Sequence, residues 1–177
     1  MKTIKLFIFA IFLMTGVNAS INFEDWFKNY ELGKPVVPNK ILYMGISYDG
    51  KPNKLVNIFQ ILIHGNDKSE TVSIDNRYVV FEGCKPRDCG NKGMLWIDTK
   101  SKLAVGVVNH SFWEVPDFSK YKKNQIFIFS NFISNPKDLP KKFIDDYNKW
   151  LIKNEFKPSV IRFLNSNDSI STIKEIK

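Results

Sequence analysis

The two cysteines of the chain lie five residues apart, in a segment that reads EGCKPRDCGN. The six residues from one cysteine to the other are Cys84, Lys85, Pro86, Arg87, Asp88 and Cys89. A structural zinc site needs four ligands, and only His64 and His110 remain as helpers, without a partner at ligand spacing. A redox-active pair normally has two intervening residues. We therefore expect neither a metal nor a cofactor here.

Other residue types that could do chemistry lie in positions that do not favour catalysis. His110 and Ser111 are neighbours on a predicted strand, so their side chains point to opposite faces. The neighbouring carboxylates Glu24-Asp25 and Asp145-Asp146 lie on predicted helix surfaces, where such pairs are usually solvated. The sequence also has no glycine-rich phosphate loop, and no dense basic run of the kind that binds nucleic acid. It predicts a protein that is not an enzyme and has no nucleic-acid partner.

The N-terminus has the pattern of a secretory signal peptide. Lys2 and Lys5 precede an uncharged run at 6–14, and small residues end at Ala19. The run is about half of the ~20 residues that a membrane-spanning helix needs, so we predict cleavage rather than a membrane anchor. The pattern predicts a signal peptide at 1–19 and a periplasmic or secreted protein.

Export determines what the two cysteines do. Outside the cytosol cysteines usually pair, which predicts a Cys84–Cys89 disulfide. Such a small ring removes little unfolded-state entropy, so its role is to shape one loop. Pro86 fixes a further dihedral angle inside the ring, and Gly90 and Gly93 allow sharp bends outside it. We predict a rigid, exposed and charged loop, of the kind that carries binding function.

The middle of the chain predicts two β-hairpins that flank this loop. Asp75-Asn76 is a tight-turn pair, and Thr99-Lys100-Ser101 forms the second turn. The four predicted strands are residues 70–74, 77–83, 93–98 and 102–110. The loop then connects the two hairpins and lies at the edge or tip of a sheet.

The remaining elements complete a single α+β domain over residues 20–177. We predict helices at 22–33 and at 139–154, the second capped by Asp138 with Pro140 in its first turn. Strands are predicted at 53–65, where a helix is the alternative, at 124–132 and at 159–164. The sheet is expected to be antiparallel, with flanking helices, and residues 165–177 are expected to form a mobile tail.

The segment CKPRDCG, preceded by ETVSIDNRYVVFEG and followed by MLWIDTKSKLAVGVV, resembles the signature region of the periplasmic inhibitor of vertebrate lysozyme family. The resemblance covers about Glu70–Val108. Members carry a loop of the form Cys-Lys-Pro-His-(Asp/Asn)-Cys, so Arg87 stands where the family has histidine. The resemblance implies a protein that inhibits c-type lysozyme, or in some members a lytic transglycosylase, by inserting this loop into the active-site cleft against the catalytic carboxylates.

For this chain the resemblance implies that Arg87 enters the cleft. Lys85 and Asp88 would make flanking polar contacts or brace the loop, while the disulfide and Pro86 would hold the loop's shape. Two alternatives stay open: an inhibitor or immunity protein against a bacterial peptidoglycan-cleaving enzyme, and a periplasmic ligand-binding module. The oligomeric state is also open, with a homodimer among the alternatives.

Overall fold

The computed structural model describes residues 41–44, 52–73, 75–110, 112–113, 125–130, 132–158, 160–165, 169–174 and 176. The predicted signal peptide and the predicted helix at 22–33 lie outside the described residues. Neither α-helix of the described part of the chain is long and apolar enough to cross a membrane.

The described residues form ten strands, two α-helices and one short 3-10 helix. In chain order these are β1 (Ile41–Met44), β2 (Pro52–Lys54), α1 (Leu55–Ile63), β3 (Asn66–Val72), β4 (Tyr78–Lys85), β5 (Asp88–Asp98), β6 (Leu103–His110), β7 (Phe112–Trp113), β8 (Gln125–Ser130), the 3-10 helix (Pro136–Asp138), α2 (Lys141–Lys153), β9 (Val160–Leu164) and β10 (Ile170–Ile173).

Seven strands form one mixed sheet in the order β10-β9-β8-β6-β5-β4-β3, and β2, β1 and β7 form a small second sheet. The prediction of an α+β fold is confirmed. The expectation of a purely antiparallel sheet is wrong at one pair, because β8 and β9 run parallel. A parallel pair needs a long crossover connection, and the segment that contains α2 supplies it.

The two helices pack on opposite faces of the large sheet. Leu95 and Ile97 of β5 belong to the apolar cluster of α1, whereas Met94 and Trp96 belong to that of α2. Since successive side chains of a strand point to opposite faces, these two clusters must lie on opposite sides. The sheet is therefore covered on both faces.

Both predicted hairpins are present in the described residues. β3 pairs with β4 across the turn that contains Asp75 and Asn76, and Asn76 has a left-handed φ of 54°. β5 pairs with β6 from Lys92↔Asn109 to Asp98↔Leu103. Asparagine tolerates the left-handed conformation better than most residues, which explains why the turn could be located from sequence.

The prediction of a strand at 53–65 is wrong, because most of this segment is helix α1. Its buried residues Leu55, Ile58, Phe59 and Leu62 repeat at helical spacing and face the sheet. Asn57 lies on the exposed side. A short apolar run fits a buried strand and a buried helix equally well by composition, and the spacing of the polar residues decides between them.

Two predictions for the C-terminal third also need correction. Asp138 does not cap α2: it lies in the 3-10 helix, and α2 begins at Lys141 with Pro140 at the N-cap position. Leu139 is extended with ψ 129°, as a residue before proline prefers, so the helix cannot begin earlier. The predicted mobile tail contains β10, whose residues Ile170–Ile173 pair with β9.

Candidate functional site

The cysteine loop connects the two predicted hairpins, β3–β4 and β5–β6, and because β4 and β5 also pair with each other it is the tip of a third hairpin between them. Cys84 and Cys89 form the predicted disulfide, with their Cα atoms 4.9 Å apart. Cys84 is fully buried, and it ends the regular ladder opposite Lys92. The next pair is Lys85↔Asp88, so residues 89–91 form a bulge on β5. Bulges of this kind re-aim the end of a hairpin.

The turn itself consists of Pro86 and Arg87, and both residues are exposed. Arg87 has φ 65°, which is the left-handed region. A proline with its fixed negative φ, followed by a residue with positive φ, is the pattern of a type II turn. That second position normally takes glycine or asparagine, so an arginine there is strained. The structure around the turn must hold Arg87 in place.

Three interactions hold the limbs of the loop. The ammonium group of Lys85 lies 3.8 Å from a carboxylate oxygen of Asp88, and the Lys85 side chain is only 14 % exposed. The side-chain amide of Asn91 donates a hydrogen bond to the same carboxylate. The side-chain amide of Asn109, on β6, donates to the carbonyl oxygen of Gly90 at 3.1 Å. The carboxylate of Asp88 therefore braces the loop from inside.

The base of the loop is packed directly against α1. A Cβ atom at Gly83 would lie 2.5 Å from the carbonyl oxygen of Leu62 and 2.7 Å from that of Ile63. A Cβ atom at Gly65 would collide with the carbonyl oxygen of Cys84. These contacts are backbone against backbone, which only glycine permits. The end of α1 thus supports the loop at the point where the disulfide closes it.

Arg87 makes no ion pair with any described residue. The neighbouring carboxylate of Asp88 is engaged by Lys85 and Asn91 instead. The Arg87 residue is exposed, and its guanidinium group makes no hydrogen bond with the described residues. Guanidinium groups bind carboxylates through two parallel hydrogen bonds, so this turn presents a fork of donors that suits a carboxylate.

The other residues considered for chemistry have structural positions. Asp146 accepts hydrogen bonds from Trp96 Nε1 at 3.0 Å and from Lys142, which ties α2 to the sheet. Asp145 pairs with Lys141 on the helix surface. His110 is buried at the end of β6, while Ser111 lies outside the described residues. The described residues contain no group of three or more His, Cys, Asp or Glu side chains that could hold a metal ion.

Sequence reasoning located all six residues of the ring but missed two residues that hold it. Asn91 follows the ring directly, and Asn109 lies nineteen residues beyond Gly90 in sequence. The signal for Asn109 was an amide residue at the end of an otherwise apolar strand, LAVGVVNH. Its partner depends on the register between β5 and β6, which the sequence does not give.

Comparison of the chain with protein-family models, with curated proteins and with solved structures found no match. The resemblance to the lysozyme-inhibitor family therefore rests on the residues of the loop and of its flanking strands.

Proposed function

We propose that this protein is a periplasmic inhibitor of c-type lysozyme, which blocks the active-site cleft with the Cys84–Cys89 loop. The observation that carries the proposal is the exposed Arg87 at the apex of a braced, disulfide-closed turn.

The cleft of a glycoside hydrolase suits such a turn. These enzymes cleave with a pair of carboxyl groups, one of which has a raised pKa and acts as general acid. A guanidinium group placed between them competes with substrate through charge-assisted hydrogen bonds. Because the loop is ordered before binding, little additional conformational entropy is lost on association.

Arginine in place of the family's histidine changes what the loop can recognise. A histidine can be neutral near pH 7, whereas arginine is always charged. The loop therefore favours a cleft in which the contacted carboxyl groups are ionised. The longer side chain also reaches deeper than histidine, so the target cleft must have room beyond its mouth.

A second candidate target is a lytic transglycosylase or another bacterial peptidoglycan-cleaving enzyme. The observation that favours it is charge. The chain carries a formal net charge of +8, which becomes +6 when Lys2 and Lys5 leave with the predicted signal peptide. Lysozymes of the c-type are typically basic, so long-range repulsion would slow association.

The ligand-binding alternative would place function in a cavity instead of the loop. The described residues line a cavity of 350 Å³ beside α1, formed by Asn57, Gln60, Ile61 and His64. Another of 720 Å³ lies beside α2, formed by Asn148, Leu151, Ile152, Glu155, Phe156 and Lys157. Both are open to the surface, whereas small-molecule sites usually bury most of the ligand.

One panel assay tests the proposal. Mature protein is titrated against several c-type lysozymes and lytic transglycosylases that cleave peptidoglycan, with Arg87→Ala as the matched variant. We expect stoichiometric inhibition of at least one enzyme by the parent protein and loss of that inhibition in the variant. Equal inhibition by both proteins would place the binding surface elsewhere. Absence of inhibition across both enzyme classes would refute the proposed function.

A further inference from the structure

A buried amide side chain on β6 contacts the residue that follows the disulfide-closed ring, in a position that an apolar residue would fill. Asn109 is 2 % exposed. The register of the sheet places Cys84, Lys92 and Asn109 in one row across β4, β5 and β6. Residues directly opposite one another share a face, so Asn109 lies on the same side of the sheet as the buried cysteine.

The amide group of Asn109 is satisfied on only one side. Its Nδ2 donates to the carbonyl oxygen of Gly90 at 3.1 Å, whereas its Oδ1 is buried without a hydrogen-bond partner. A buried unsatisfied acceptor destabilises a fold. Val105 and Val107, on the same face of β6, are fully buried and pack in the α2 cluster. Packing alone would therefore favour a valine at position 109.

We propose that Asn109 is a positioning residue, which fixes the returning limb of the loop and thereby the direction of Arg87. Gly90 is the residue directly after Cys89, and it lies in the bulge where β5 has no ladder partner on β4. The bond from β6 is an anchor for this bulge that does not depend on the disulfide. Without it, Cys89 and Asp88 can rotate about the disulfide, and the strained φ of Arg87 can relax.

The proposal predicts opposite effects on the loop and on the fold. Asn109→Val removes the unsatisfied acceptor, and the exposed Gly90 regains a donor from water. The denaturant midpoint should stay equal to that of the parent or rise. The loop should open more often, by about two- to tenfold, the factor that one hydrogen bond contributes. A merely structural role would lower stability and loop order together.

The rate of cleavage by trypsin measures how often the loop opens. Among the bonds inside the ring, trypsin can cleave Arg87–Asp88, while Pro86 protects the bond after Lys85. Cleavage at this bond adds the mass of one water to the fragment that contains the ring, and the two halves of that fragment separate only after reduction of the disulfide. We expect Asn109→Val and Asn109→Thr to be cleaved about two- to tenfold faster than the parent in the absence of denaturant. Ser130→Ala is the matched control, because Ser130 donates to the carbonyl oxygen of Ala104 at 2.7 Å, far from the loop.

The outcomes separate this inference from the proposed function. Faster cleavage with an unchanged or raised midpoint supports it. The proposed role of Asn109 is overturned if the variants are cleaved at the same rate as the parent, or if the denaturant midpoint falls together with faster cleavage. It is also overturned if Asn109→Val fails to fold while Asn109→Thr is cleaved like the parent. The inference deepens the proposed function, since weaker inhibition of a c-type lysozyme should accompany faster cleavage. If the parent inhibits no enzyme, the proposed function fails, but the trypsin result still decides the role of Asn109.

Discussion

Two arginines flank strand β4, and the structure uses them in different ways. Arg77 precedes the strand and donates two hydrogen bonds to Asp98, at 3.1 Å and 2.9 Å. Its guanidinium group also lies 4.8 Å from the ring centre of Tyr78. Arg87 follows the strand at the opposite end and has no partner among the described residues, although a carboxylate, Asp88, is its sequence neighbour.

The two ends of β4 differ in which groups the aspartate carboxylate binds. At the Arg77 end, Asp98 also accepts hydrogen bonds from the backbone N–H groups of Lys100 and Ser101, so one carboxylate organises the whole β5–β6 turn. At the Arg87 end, Asp88 is directed to Lys85 and Asn91, which leaves the guanidinium group available. One end uses arginine for stability, whereas at the other end the arginine is exposed, and the proposed function assigns it to a partner.

The largest expected effect is on binding. Arg87→Ala should weaken inhibition of the target enzyme by about 2–5 kcal/mol, mainly through faster dissociation, because a desolvated ion pair in the cleft is lost. The free energy of unfolding should change by less than about 0.5 kcal/mol, apart from effects of the turn itself. Inhibition kinetics and urea titration measure the two quantities.

Arg77→Ala is the matched variant for this comparison. It should lower stability and leave inhibition of the folded protein unchanged. If Arg87→Ala reduced stability while Arg77→Ala reduced binding, the assignment of the two ends would be reversed.

Disrupting the contact between α1 and the base of the loop should have the next largest effect, a loss of stability. Gly83→Ala should destabilise the protein by about 1–3 kcal/mol, because the new Cβ atom would lie 2.5 Å from a backbone oxygen of α1 that cannot move independently. Gly90→Ala is the control within the loop: its Cβ atom would meet only a side-chain oxygen of Asp88, at 3.3 Å. Urea unfolding of both variants tests the contrast, and equal stability of the two would argue against close support by α1.

The Arg77 end should have a characteristic pH dependence. Hydrogen bonds from Arg77, above all, hold the pKa of the Asp98 carboxyl below its ordinary value. A carboxyl whose pKa is lower in the folded state contributes stability above its unfolded pKa of about 3.9, and the contribution is lost as the pH falls through the folded pKa.

Asp98→Asn should therefore cost about 1–2 kcal/mol at pH 7, a value reduced because the Arg77 side chain is 38 % exposed. The stability of this variant should depend less on pH below about pH 4 than that of the parent. Urea midpoints measured from acid to neutral pH test this. Parallel curves for the two proteins would show that Asp98 does not carry the effect.

Features that depend on residues close in sequence could be predicted, whereas features that depend on contacts between distant segments could not. Asp75-Asn76 indicated its hairpin because turn chemistry acts within a few residues. The disulfide followed from two cysteines five residues apart and the predicted export. The position of Asn109 under Gly90 depends on pairing between strands, and the parallel placement of β9 depends on how α2 packs. Neither is encoded in a short window of sequence.

The smallest expected effect concerns the strained turn. Arg87 has φ 65°, and the left-handed conformation costs a residue with a side chain about 1–2 kcal/mol, a cost that glycine does not have. Glycine also increases the conformational entropy of the unfolded chain, which lowers stability by about 0.5–1 kcal/mol. This loss is smaller inside a ring that already restricts the unfolded chain. Arg87→Gly should therefore raise the free energy of unfolding by about 0.5–1 kcal/mol while it abolishes inhibition, whereas Arg87→Ala keeps the strain. Urea unfolding of the two variants side by side measures the difference. A glycine variant that is less stable than the alanine variant would show that the turn holds no strain at Arg87.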